Sequence, residues 1–159
     1  MKRRDFIMLV GGTAAAWPVA TSAQQTGKLP IVGVLGPSAS SFAPWAAAFV
    51  ARMRELGWVE GRTITIEYRW SEGRPERYSE IGAEFVRLQV DVILTVGSAV
   101  PIVRQATTVI PIVFAVAIDP VGSGMVASLA KPGGNATGLS IQANELAGKR
   151  LEFLREAIP

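Results

Sequence analysis

Ile31-Val32-Gly33-Val34-Leu35, closed by Gly36-Pro37, is an unbroken apolar run of strand length in which three of five residues are β-branched. Polar residues do not alternate with apolar ones, so neither face of such a strand is meant for water. That pattern reads as a central strand of a parallel sheet followed by its exit loop. Downstream, Trp45, Phe49, Met53 and Leu56 recur at helical spacing with Arg52, Arg54 and Glu55 turned away, and Gly57 supplies a left-handed C-terminal residue.

The same alternation of strand and helix then repeats. Ile64 and Ile66 alternate with Thr63, Thr65 and Glu67 in a second strand running to about Trp70. Residues 71–74 break the pattern, and Pro75 opens a helix carrying Tyr78, Ile81, Phe85 and Leu88. Residues 90–96 form a third strand ending at Gly97-Ser98, and a short helix opened by Pro101 follows through Ile102, Val103 and Ala106. Ile110 to Val116 is a fourth strand, with Pro111 at its entry where a missing N–H is tolerated. Three βα units in succession predict an α/β fold, a doubly wound parallel sheet with helices on both faces. A short helix over 121–129, a turn at Lys131-Pro132-Gly133-Gly134-Asn135, a fifth strand over 136–141 and a helix over 145–158 complete the expected order. Trp45, Tyr78 and Phe85 are expected in the core, whereas Trp70, near a strand end, is left open.

The N-terminus carries a different kind of information. Lys2, Arg3 and Arg4 precede Phe6-Ile7 and an uncharged run to Ala20, and Thr21-Ser22-Ala23 comes before Gln24-Gln25. This is a basic region, an apolar region and a small-residue cleavage site, with cleavage expected after Ala23. Glycines and alanines make the run short and weakly apolar for a membrane span. Paired arginines beside weak hydrophobicity point to the twin-arginine route and a periplasmic destination, with a general secretory signal or an uncleaved anchor as alternatives. The expected organisation is thus a signal peptide over 1–23, an α/β lobe over 24–141 and a crossover helix over 142–159.

Composition closes off much chemistry. The chain has no cysteine and no histidine. Thiolate nucleophiles, Cys-ligated metals, the commonest general base and Ser-His-Asp arrangements are therefore absent, and no catalytic residue, metal site or cofactor is expected. Removing three of the 16 basic and one of the 13 acidic residues with the signal leaves a net charge of +1, so no nucleic-acid partner is expected. Glycine motifs also fail: Gly122-Ser123-Gly124 lacks the Lys-Ser/Thr and spacing of a phosphate loop, and no Gly-x-Gly-x-x-Gly opens a helix.

In a parallel sheet, ligands collect beyond the C-terminal strand ends. Three loops there are small or polar: residues 36–41, Gly97-Ser98-Ala99, and Ala117-Ile118-Asp119-Pro120. Small residues admit a ligand to the backbone, hydroxyls donate or accept, and helix N-terminal N–H groups favour a carboxylate. Asp119 would neutralise an ammonium group, so the set suits a zwitterion such as an amino acid. Each residue has an ordinary alternative: Ser98 and one of Ser38, Ser40 or Ser41 as helix caps, and Asp119 before proline as turn chemistry.

Longer stretches resemble a known group. Arg54-Glu55-Leu56-Gly57-Trp58-Val59-Glu60-Gly61-Arg62, Ile66-Glu67-Tyr68-Arg69-Trp70, Ile110-Pro111-Ile112-Val113-Phe114 and Asp119-Pro120-Val121-Gly122-Ser123-Gly124 are similar to the first lobe of ABC transporter substrate-binding proteins of the tryptophan-binding-like type. Pro132-Gly133-Gly134-Asn135 and Leu146-Ala147-Gly148-Lys149-Arg150 extend the match. The resemblance implies one lobe of a type I periplasmic-binding-protein-like fold, an amino acid or similar small solute as ligand, and an ABC permease as partner. It implies ligand contacts at Ser38, Ala39, Ser98, Ala99 and Asp119. In the family the final helix leads into a second lobe, whereas this sequence ends at Pro159, so a fragment, a truncated gene or a partner-dependent half is expected. Competing readings are an exported sensor or interaction module built on the same lobe, and a twin-arginine-exported cofactor enzyme.

Overall fold

The computed structural model describes residues 28–141 and 146–158. The signal residues Arg3, Arg4, Phe6 and Ala23 lie outside them. Strands β1 (Ile31–Gly36), β2 (Thr65–Trp70), β3 (Val92–Thr95), β4 (Ile112–Ile118) and β5 (Ala136–Ile141) form one sheet in the order β2-β1-β3-β4-β5. Every neighbouring pair is parallel. Helices α1 (Ala39–Glu55), α2 (Arg77–Leu88) and α3 (Val100–Ala106) make the connections, and α4 (Leu146–Ala157) follows β5.

The sheet is covered on both sides where the apolar runs predict it. On one side Phe42, Ala46, Phe49, Val50 and Met53 of α1 pack on Val32, Val34 and Ile66. On the other, Tyr78, Ile81 and Phe85 of α2 and Val100 and Val103 of α3 pack on Leu35, Ile93, Ile112 and Phe114. Gly33 belongs to this arrangement, because a Cβ there would stand 3.0 Å from the Phe85 ring. The chain runs from β1 outward to β2 and returns past β1 to β3, so the winding direction reverses between β1 and β3.

Helix ends follow local chemistry. α1 closes with Gly57 at φ 89°, its N–H donating to Arg54 O at 3.0 Å and that of Trp58 to Met53 O at 2.9 Å, the paired bonds of a Schellman cap. α2 ends instead on Gln89, a non-glycine residue in the same left-handed region at φ 52°. Arg69 ties β2 to α2: its Nη2 stands 2.8 Å from Glu84 Oε1, and its Nη1 reaches Glu67 Oε2 at 3.1 Å.

Three expectations are corrected. Trp45 is 71% exposed and Leu56 is 58% exposed, because the buried stripe of α1 starts at Phe42. Phe42 and Trp45 precede Phe49 by seven and four residues, and helical period alone accepts either. Pro75 precedes α2 instead of occupying its first turn, since the chain first makes turns from Ser71 to Arg77. The expected helix over 121–129 is a succession of turns, which Gly122 and Gly124 favour through their low helix propensity. That segment still crosses over the sheet, pinned by buried Val126.

On the α1 side, β4 and β5 carry no helix among the described residues, leaving Leu139 71% and Ile141 48% exposed. No described helix is long and apolar enough to cross a membrane.

Two stability predictions follow from these contacts. Gln89→Gly relieves the left-handed strain and raises unfolding free energy by about 1 kcal/mol in a denaturant titration. The Arg69 guanidinium hydrogen-bonded to Glu84 holds that carboxyl below the usual glutamate range. A lowered folded pKa means that the pair's contribution, at most about 1 kcal/mol for partly exposed groups, is complete above about pH 5 and is lost as pH falls below ~4.3. Glu84→Gln therefore lowers stability at pH 7 and has a smaller effect at pH 2.5, as read by thermal melts at both values.

Candidate functional site

All five strands point one way, so the loops after β1, β3 and β4 emerge at a single edge of the sheet. Two buried hydroxyls fix the geometry beneath them. Thr95, fully buried at the end of β3, donates its Oγ1–H to Leu35 O at 3.0 Å and so ties β3 to β1 at the winding reversal. Ser71, equally buried, donates its Oγ–H to Pro37 O at 3.3 Å, and its N–H to Gly36 O at 3.0 Å. Neither residue was singled out from sequence. A polar residue inside the apolar run of residues 90–96 was the available signal for Thr95; Ser71 had none.

Aromatic packing closes the β2 side. Trp70 stacks on Tyr68 at 5.8 Å and tilts against Phe42 at 5.7 Å between ring centroids. Its ring occupies the space above Gly36, where a Cβ would come within 2.6 Å of it. Trp70 is thereby a packing element of this edge.

The loop after β1 is organised by serines. Ser38 caps α1, its Oγ accepting from Ser41 N at 3.3 Å and lying 2.7 Å from Ser41 Oγ. The capping alternative holds for Ser38, whose hydroxyl is engaged locally. Ala39 is exposed in the first turn of α1. After β3 the chain makes a tight turn at Gly97–Ala99 before α3. Gly97 is required there, since a Cβ would stand 2.6 Å from Ala117 Cβ and 2.9 Å from Val116 O. Ser98 is exposed, caps neither turn nor helix, and its Oγ makes no hydrogen bond to any described residue. Ala99 is fully buried, so its methyl group belongs to the core below the loop.

Asp119 follows β4 and is exposed at φ 44°, a left-handed conformation that aspartate tolerates better than most residues. Its Oδ1 accepts from Gly122 N at 2.9 Å, and its carbonyl accepts from Ser123 N at 3.0 Å and Ser123 Oγ at 2.8 Å. The turn role anticipated for Asp119 is present, and the exposed carboxylate also sits on the edge that carries Ser38 and Ser98. The arrangement presents hydroxyls and one carboxylate on small-residue loops, with no nucleophile–base pair among them.

A family model described as ABC transporter substrate binding protein matches residues 44–159. The chain belongs to this family. A tyrosine-binding protein of Clostridioides difficile is 30% identical over 112 residues, which is 70% of this chain and 32% of that protein. Among solved structures, a conserved domain protein of Vibrio cholerae superposes with a TM-score of 0.73 at 28% identity, over 83% of this chain and 45% of that one. An ABC domain from Streptococcus pneumonia in complex with L-Trp gives 0.64 at 27% identity, over 71% and 39%. The chain therefore spans about a third of the curated relative and less than half of each solved chain. Its fold is one lobe of the periplasmic-binding-protein type, and the family is one of substrate-binding proteins.

The close approach at Gly97 makes a direct prediction. Gly97→Ala must push against the backbone of Ala117 and costs about 1–3 kcal/mol, read as a lowered midpoint in urea.

Proposed function

We propose that this chain is the first lobe of a solute-binding protein that serves an ABC importer and holds an amino acid against the C-terminal edge of its sheet. The observation that carries the reading is the placement of Ser38, Ser98 and Asp119 on one edge, the first two flanking the reversal of winding and the third on the next strand over. Tyrosine and tryptophan are the ligands named for two relatives, so aromatic amino acids are the first candidates. In this reading Asp119 meets the ligand ammonium, Ser98 and the backbone at Ala39 take polar contacts, and Ser38 and the buried Ala99 shape their loops. A second lobe would supply the facing half of the cleft, α4 being the crossover toward it, because a ligand on one lobe alone keeps a wet side.

Export belongs to the same proposal: residues 1–23 direct the chain through the twin-arginine route to the periplasm, where a permease in the inner membrane receives the ligand. Replacing Arg3 and Arg4 together by lysine should retain the protein in the cytoplasm, as read by cell fractionation. Periplasmic delivery of that variant at the normal level sinks the twin-arginine assignment.

Binding is tested by calorimetric titration of L-tryptophan and L-tyrosine into the chain alone, and into the chain joined to the remainder of the Streptococcus relative. Asp119→Asn should weaken binding about ten-fold or more, the loss expected for a charged hydrogen bond. Heat from neither form refutes the solute-binding reading, and equal affinity in the Asn variant removes Asp119 from it.

A further inference from the structure

Asp119 holds a left-handed backbone on an exposed loop, and such conformations persist only where their surroundings over-determine them. Its own turn contributes through Gly122 and Ser123. The base of the loop is closed by Pro120, fully buried, whose carbonyl accepts from Met125 N at 2.9 Å and Val126 N at 3.1 Å. One side chain from another element reaches this loop by hydrogen bonds among the described residues. Arg104, in the last turn of α3, donates from Nη1 to Met125 O at 3.0 Å and to Gly124 O at 3.4 Å.

We propose that Arg104 is a positioning residue for Asp119, acting through the Met125 peptide; its relevance to ligand rests on the reading of Asp119 given above. Met125 is held through both of its backbone groups, its C=O by Arg104 and its N–H by the carbonyl of Pro120, which adjoins Asp119. The guanidinium forms no ion pair with any described carboxylate. Its donors serve the loop, and a partly buried cation on two carbonyls is a stronger tether than a neutral donor. A cation in the last turn of a helix also favours the helix dipole, which is the competing role. That role predicts a change in overall stability with the Asp119 turn unaffected.

The two roles separate in hydrogen exchange on the full chain. Arg104→Met keeps the apolar stem and removes the donors, and Arg104→Lys restores a charged donor. In the Met variant the amides of Gly122 to Val126 should exchange about ten-fold faster, with amides of β1 and β3 unchanged, and the Lys variant should recover much of that protection. Unchanged exchange in residues 122–126, or acceleration spread evenly over the chain, overturns the proposal whatever the ligand result. L-tryptophan titrations of the same variants test the link to binding: affinity should fall in the Met variant and recover in the Lys variant. Faster loop exchange at constant affinity overturns the positioning role in binding. If the parent chain, alone and joined to the second half of the Streptococcus relative, takes up no L-tryptophan, the ligand reading fails, while the exchange result still decides whether Arg104 holds Asp119.

Discussion

Parallel pairing of β1 with β3 is the contact on which the other features of the lobe depend. It is made by Val32, Gly33 and Val34 against Val92, Ile93 and Leu94, and it leaves β1 enclosed by strands on both edges and helices on both faces. Because the chain must leave β1 for β2 and come back across it to β3, the helices divide between the two faces. The loops on either side of the reversal run to opposite faces of the sheet, the arrangement at which parallel sheets commonly take ligands. Thr95 bonded to Leu35 O sits at this junction, and its hydroxyl is satisfied where an unpaired one would be costly.

Polar groups at that edge fall into two kinds. Ser38, Ser71 and Thr95 use their hydroxyls to shape the loops and strand ends. Ser98 and Asp119 face solvent, the first without a protein partner among the described residues and the second with one carboxylate oxygen engaged by its own turn. A rigid frame carrying a few exposed polar groups suits recognition, where pre-set geometry limits the entropy lost on binding. The apolar surface at Leu139 and Ile141 has a different character, since it lies where no described helix covers the sheet.

Strands were the most legible elements, because a short apolar run or a short strict alternation between turn signals has few meanings, and all five appear close to their expected bounds. Four of the five expected helices are present, but not always in phase: the period that placed Phe49 and Met53 in the core accepted Trp45 as readily as Phe42. Only the position of α1 over the sheet separates the two. The β4–β5 connection misled for a related reason. Apolar residues from Val121 to Leu129 imitate a helical stripe, whereas Gly122, Gly124 and the Asp119 turn divert the backbone before a helix can nucleate.

The amino-acid sequence by itself determined the class of fold and the edge that carries the candidate site, because both follow from the order of apolar runs and the one-way direction of parallel strands. It also determined that thiol and imidazole chemistry are absent, which is a matter of composition. Tertiary structure alone decided that Ser38 is a cap, that Ala99 faces the core and that Ser98 is open. It alone brought Arg104 to the loop of Asp119, fifteen positions away in the chain. That last outcome depends on how α3 and the β4–β5 crossover settle against each other, and that contact has no periodicity for a sequence to display.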